Sequence, residues 1–368
     1  MKNKIVLPIF GTRPEAIKMC PLIRELWRRE NVTVRLCVTG QHRELLSSAL
    51  DIFGVTPDID LALMKERQTQ EGFLSALLDA LPQVLGRVRP DLVLVHGDTA
   101  SAYGAALVCF LRGIPVAHVE AGLRTHDIHS PFPEEFYRQS IARMASLHFA
   151  PTEGACENLL AEGIDPASIF VTGNTGIDAL DYTVRKHDPP AILSFAKDRK
   201  LILVTAHRRE SQGEALLNML SAIRAVARER EDIRVIISAH PNPSVNALTR
   251  EIFSGERRCL VVSPPDVSDF HTLMAHAHLI LTDSGGIQEE APALGVPVLV
   301  MRNETERQEG VEAGTLMLVG TTFCGVYDGF CRLLDDEALY ARMKNAQNPY
   351  GDGQASRRIA DVLLATPN

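Results

Sequence analysis

The stretch Thr282-Asp283-Ser284-Gly285-Gly286-Ile287-Gln288-Glu289-Glu290 decides how the chain is read. It follows the apolar run Leu279-Ile280-Leu281, which has the composition of a buried parallel strand bounded by turn residues. Ile287 to Ala293 then reads as a helix closed by Gly295. A strand, a Ser-Gly-Gly turn and a helix start together make an anion site. Glycines let backbone N–H groups approach a phosphate, and the helix N-terminus adds about half a positive charge. Ser284, Gly285 and Gly286 are therefore expected to hold a phosphate group. Glu289 and Glu290 lie one turn in, where a carboxylate accepts bonds from sugar hydroxyls. The competing reading is a tight βα turn whose serine merely caps the helix.

Outward from this stretch, short β-rich runs alternate with helical patterns along the whole chain, the signature of an α/β fold with parallel sheets. Ile5 to Phe10 runs into Gly11-Thr12-Arg13-Pro14-Glu15 and an amphipathic helix, with Pro14 suited to a first helical position. Arg13 and Lys18 thereby bring positive charge to the carboxyl end of a strand, where open α/β sheets bind ligands. Val32 to Val38 reads as a second strand, Leu92 to Val95 as a third ending in His96-Gly97-Asp98-Thr99, and Val116 to Val119 as a fourth ending in Glu120. Asp98 and Glu120 thus fall at carboxyl ends of strands in one sheet, and Glu134 opens the next helix as a third acid. Between about Asp181 and Lys200 the pattern weakens, and Lys186-His187-Asp188-Pro189-Pro190 reads as a crossing segment. Two Rossmann-like domains are expected, residues 1–180 and 200–350, with a C-terminal helix at about 353–366 packing back on the first. In the second half His207 and His240 each follow a strand directly, and both are candidate site residues. His96, His118, His271, His276 and His278 are expected to be structural.

Composition narrows the function. With 45% hydrophobic and 23% charged residues in 368, the chain is an ordinary globular one, long enough for about two domains. A net charge of −8 argues against nucleic acid and gives no basic stripe for a lipid surface, so an anionic ligand needs a local site. Seven scattered cysteines without a CxxC read as free, mostly buried thiols of a reducing compartment, and the cytoplasm is the expected location. No run is long enough to span a bilayer. HExxH, GxxxxGK[ST], clustered Cys/His and a GxGxxG after the first strand do not occur, so neither metal, P-loop nor nicotinamide chemistry is inferred.

A set of longer motifs carries a family resemblance. GTRPEAIKM (11–19), TGQHREL (39–45), VHGDT (95–99), HVEAGLRT (118–125), FPEE (132–135), TGNTGIDAL (172–180), AHRRES (206–211), TDSGGIQEEAPALG (282–295), TER (305–307), EAGT (312–315) and NPYGDGQAS (348–356) resemble the non-hydrolysing UDP-N-acetylglucosamine 2-epimerases over nearly the whole length. Three positions depart from the family pattern. Tyr137 precedes Arg138 where Asn is usual, Gln308 follows TER where Pro is usual, and Asn246 stands where a basic residue is usual.

The resemblance implies a glycosyltransferase-B type fold with a UDP-sugar in an interdomain cleft, and a reversible epimerisation at C2 through elimination of UDP to 2-acetamidoglucal and re-addition. It implies Asp98, Glu120, Glu134 and His207 as catalytic residues, without deciding which carboxylate is the base. Arg13, Lys18, His240, Ser284, Gly285, Gly286, Glu290 and Arg307 become substrate-binding positions. No redox cofactor or metal is required. A homodimer is implied, as is a regulatory UDP-N-acetylglucosamine position near Gln41, His42, Arg67 and Arg208. The competing readings are a glycosyltransferase of the same fold, a hydrolysing epimerase and a non-catalytic UDP-sugar sensor.

Overall fold

Two parallel sheets organise the computed structural model, which describes residues 3–40, 43–65, 68–185, 189–206, 213–239 and 242–366. The chain divides into two units, Met1–Tyr182 with Tyr350–Asn368, and Thr183–Pro349. The first unit contains β1 (Lys4–Phe10), β2 (Val32–Val34), β3 (Cys37–Val38), β4 (Ile59–Asp60), β5 (Leu92–His96), β6 (Val116–Val119), β7 (Leu147–Ala150) and β8 (Ile169–Val171). Their order is β4-β3-β1-β5-β6-β7-β8, with β2 also beside β1. Alternation along the central strands puts Val6, Phe10, Leu92 and Leu94 on one face, against Met19, Leu22, Ile23 and Leu26 of helix Arg13–Trp27. Leu7, Ile9, Val93 and Val95 face the other way, toward Leu77 and Leu81 of helix Gln70–Val88. Both faces are covered, which is why these strands read as continuous apolar runs.

The C-terminal helix Ala355–Ala365 belongs to this first unit. Asp178 accepts from its first two backbone N–H groups, Ala355 at 3.2 Å and Ser356 at 2.7 Å, and Ile359 and Leu363 enter the core beside Leu26.

In the second unit β9 (Lys200–Thr205), β10 (Ile233–Ser238), β11 (Cys259–Val262), β12 (Leu279–Thr282), β13 (Val298–Val300) and β14 (Leu316–Leu318) lie in the order β11-β10-β9-β12-β13-β14. Both sheets reverse their winding once, between β1 and β5 in the first and between β9 and β12 in the second. Ligands of open α/β sheets bind at the carboxyl ends of the strands flanking such a reversal. The loops after β1, β5 and β12 are thus where a site is expected on topology alone.

Some elements differ from the sequence reading. The single strand expected over Val32 to Val38 is two, because Asp58 intervenes: its carboxylate accepts from Leu36 N at 2.8 Å and pairs with Arg35 at 2.7 Å. The edge strands β4 and β14 were not expected, being too short to register as apolar runs. Cys20, Cys37 and Cys109 are buried free thiols, whereas Cys324 is exposed, on the first turn of helix Phe323–Asp335. Among the described residues no helix is long and apolar enough to cross a membrane.

Candidate active site

Thr12 caps the helix that follows β1 and forms a capping box with Glu15, a pairing written in the spacing Thr-x-x-Glu. Glu15 is buried, and its carboxylate accepts from Gly11 N (3.1 Å), Thr12 N (2.9 Å), the Thr12 hydroxyl (2.8 Å) and the Thr99 hydroxyl (2.8 Å). Burial outweighs these donors and pushes the carboxyl up to about 7. The Thr99 bond ties the loop after β5 to the loop after β1, across the reversal in the sheet. Arg13 starts this helix, half-buried, and Lys18 lies about one turn further on.

From this frame Lys18 reaches an ion pair with Glu120. Glu120 follows β6 with φ at +64°, a left-handed conformation that costs a non-glycine residue about 1–3 kcal/mol and is characteristic of functional sites. His96 Nε2 stands 3.7 Å from the same carboxylate. Burial drives His96 down to about 4, so it faces Glu120 as a neutral ring near pH 7. Asp98, two residues on from His96, is held by Arg138 at 2.6 Å, and Arg138 is itself anchored on fully buried Glu135 at 3.2 Å. Burial raises the Asp98 carboxyl, Arg138 and Lys18 oppose that, and the charges of Glu120 and Glu134 reinforce it. Asp98, Glu120 and Glu134 therefore share one electrostatic field, and the three expected acids do come together.

His96 and Arg138 were not singled out from sequence as members of this group. The signals existed: His96 lies two residues before Asp98, and Arg138 lies four after Glu134 on one helix face. Lys18, expected to bind substrate, is engaged with Glu120 in this structure.

In the second unit, helix Gly285–Ala293 starts directly after β12. Ser284 occupies its N-cap position but makes no side-chain cap bond, so the reading of this serine as merely a cap is not realised. The turn is instead fixed from below. Ser284 N donates to the Thr282 hydroxyl at 2.9 Å, and that hydroxyl pairs with Thr205 at 2.7 Å. The Gln288 amide donates to Ser284 O at 3.1 Å, and Gln288 is braced by the Thr305 hydroxyl at 2.6 Å. A preorganised helix start of this kind suits an anion. Replacing Gly285 by Val is expected to weaken UDP binding by roughly 10-fold or more, because one lost buried hydrogen bond costs about 1–3 kcal/mol. Unchanged calorimetric affinity in a folded Gly285→Val protein would sink this assignment.

The two glutamates of the turn diverge. Glu289 is buried and holds Arg307, with Nε and Nη2 at 2.8 and 2.7 Å from one carboxylate oxygen, so Arg307 is committed within the protein here. Glu290 Oε1 lies 3.8 Å from where a Cβ on Gly286 would stand, and its Oε2 lies 3.5 Å from His271. The departures from the family pattern are absorbed locally. Tyr137 stacks on Tyr103 at 4.7 Å, Gln308 donates to Thr305 O at 2.9 Å, and Asn246 accepts from Arg250 at 2.7 Å. His207, His240, Gln41, His42, Arg67 and Arg208 lie outside the described residues.

Comparison with known proteins agrees with this fold. The family model described as UDP-N-acetylglucosamine 2-epimerase matches residues 24–364. A Bacillus subtilis UDP-N-acetylglucosamine 2-epimerase is 50% identical over 364 residues, 99% of this chain and 96% of the relative. The crystal structure of the Neisseria meningitidis UDP-GlcNAc 2-epimerase bound to UDP-GlcNAc superimposes with a TM-score of 0.88 at 42% identity, covering 98% of this chain and 100% of that one. The Methanocaldococcus jannaschii UDP-GlcNAc 2-epimerase, solved with UDP-GlcNAc and UDP, gives 0.80 at 33% identity, with 98% and 100% covered. With matched motifs, two parallel α/β units and the acid cluster at the strand ends, this chain belongs to the UDP-N-acetylglucosamine 2-epimerase family.

Proposed function

We propose that the enzyme interconverts UDP-N-acetylglucosamine and UDP-N-acetylmannosamine without hydrolysis, by eliminating UDP to a 2-acetamidoglucal and adding it back. The observation that most supports this reading is the placing of Asp98 and Glu120 at strand carboxyl ends within the field of Glu134 at a helix start, braced by Lys18 and Arg138. In the elimination a carboxylate takes the C2 proton, the C1–O bond to UDP breaks, and the electron pair becomes the C1=C2 double bond. Re-addition forms the C1–O bond again and delivers a proton to the other face of C2. Base and acid must then be separate groups in opposite protonation states. Asp98, raised by burial and held by Arg138, and Glu120, paired with Lys18, offer two distinct carboxyl groups for these roles.

The departing diphosphate needs donors and positive charge. The helix start at Ser284, Gly285 and Gly286 supplies the donors, and Arg13 and His207 are read as supplying charge or a proton. Glu290 is read as the acceptor for the ribose hydroxyls of UDP. The Neisseria relative's bound UDP-GlcNAc supports the same substrate here. Incubation with UDP-N-acetylglucosamine in D₂O, followed by NMR, tests the whole reading. The expected product is UDP-N-acetylmannosamine carrying deuterium at C2, and accumulation of free N-acetylmannosamine with UDP would overturn it.

A homodimer completes the proposal. Ile128, Phe132 and Phe136 are exposed apolar side chains within one short segment, and Phe136 packs on Tyr103 with ring centroids 5.9 Å apart. A sedimentation mass equal to the 40.4 kDa monomer at micromolar concentration would exclude it.

A further inference from the structure

His271 has no part in the reaction as described, yet it is buried on helix Val267–His276 with both ring nitrogens directed at named groups. Its Nδ1 lies 2.6 Å from the Thr183 hydroxyl, and its Nε2 lies 3.5 Å from Glu290 Oε2. All three residues belong to the second unit. Thr183 is fully buried and is no chance neighbour. The segment it opens is laid along the same helix: Arg185 N donates to the Thr272 hydroxyl at 2.9 Å, and the Arg185 guanidinium pairs with Asp269 at 3.0 Å and Asp266 at 3.6 Å.

The proton arrangement follows from the acceptors. An ionised carboxylate only accepts, so the hydrogen of a neutral His271 ring belongs on Nε2. Nδ1 is then an acceptor, and the Thr183 hydroxyl must donate to it. The threonine thus selects the tautomer that turns an N–H toward Glu290, as the outer partner of a functional histidine commonly does. With Oε2 on the side of the ring, Oε1 lies on the side of Gly286, 3.8 Å from where a Cβ there would stand.

We propose that Thr183 and His271 are positioning residues for Glu290, fixing its carboxylate for the ribose hydroxyls of the nucleotide and setting the preference for UDP over a nucleotide that lacks those hydroxyls. This rests on the reading of Glu290 as the ribose acceptor. The test compares calorimetric affinities of the full chain for UDP and 2′,3′-dideoxy-UDP. His271→Phe, which keeps a ring but no nitrogen, is expected to weaken UDP about fivefold and dideoxy-UDP by no more than about twofold, as for loss of a 3.5 Å polar contact to a charged group. Thr183→Val is expected to weaken UDP about threefold, also selectively. KM for the UDP-sugar rises in parallel, whereas kcat falls by no more than about threefold, the pattern of lost uniform binding. A merely structural role would weaken both nucleotides alike, and that result overturns the proposal. If His271→Phe does not fold, Thr183→Val decides alone, and an unaltered UDP to dideoxy-UDP ratio in it overturns the proposal. Glu290→Ala separates the two levels. If it leaves the ratio unaltered, the ribose reading itself fails. If it collapses the ratio while Thr183→Val and His271→Phe leave it intact, only the positioning pair fails.

Discussion

Asp98→Asn, Glu120→Gln and Glu134→Gln are each expected to lower kcat by roughly 10²-fold or more, since a positioned general acid or base contributes about 10²–10⁴. The amide isosteres keep shape and remove the titrating oxygen, so UDP affinity changes far less than turnover. The three do not act alike. Asn at 98 removes the carboxylate that Arg138 holds at 2.6 Å, leaving the guanidinium with Glu135 alone. Gln at 120 leaves the Lys18 ammonium facing a neutral amide at half-buried depth. Glu134 stands at the first turn of its helix and reaches Asp98 through its field. C2 proton exchange measured in D₂O should fall with turnover if the residue moves that proton, and should persist if it only assists departure of UDP. Near-parental kcat in two of the three variants would make the assignment of chemistry to the first unit wrong.

How much of this was legible in the chain varies with the reach of the interaction. The parallel strands were readable because both their faces are covered, which forces unbroken apolar runs such as Leu92 to Val95. The acids were readable because a strand end followed by Asp or Glu is a local pattern. Their mutual approach was not, since it depends on β5 and β6 being neighbours, a fact of topology. Glu15 shows the limit well. Its capping box is visible at a spacing of three, but its 2.8 Å bond to Thr99 spans 84 residues. The fates of Glu289 and Glu290 could not be separated from local pattern, and only the family resemblance singled out Glu290. One is turned inward to Arg307 and the other toward His271, according to partners 18 and 19 residues away.

Acid is expected to destabilise the first unit more than the second, because three histidines lowered by burial lie on its neighbouring strands against one, His278, among the described residues of the second. His96, His118 and His148 lie on β5, β6 and β7, with His118 directly opposite His148 in the register. Each has a buried ring nitrogen without a hydrogen-bond partner among the described residues: Nε2 of His96, and Nδ1 of His118 and of His148. Burial lowers them to about 4, about 3 and about 4. Such a histidine binds fewer protons folded than unfolded, so its contribution is whole above pH 6.5 and is lost as pH falls toward the folded value. At about 1.4 kcal/mol per unit, the fall from pH 6.5 to 5 removes roughly 2 kcal/mol for each ring. Glu15 works the other way. Its carboxyl, raised to about 7, favours the folded state increasingly as pH drops through the same window, offsetting roughly one of the three histidines. The balance remains a loss. Trp27, the single tryptophan, ends the helix that packs on β1, so its fluorescence reports the first unit alone. Its urea midpoint should be clearly lower at pH 5 than at pH 7, and His118→Leu should reduce that gap by about half, since Glu15 already offsets one of the three comparable rings. Equal midpoints at the two pH values would mean that the three rings are already charged, or already hydrated, in the folded protein.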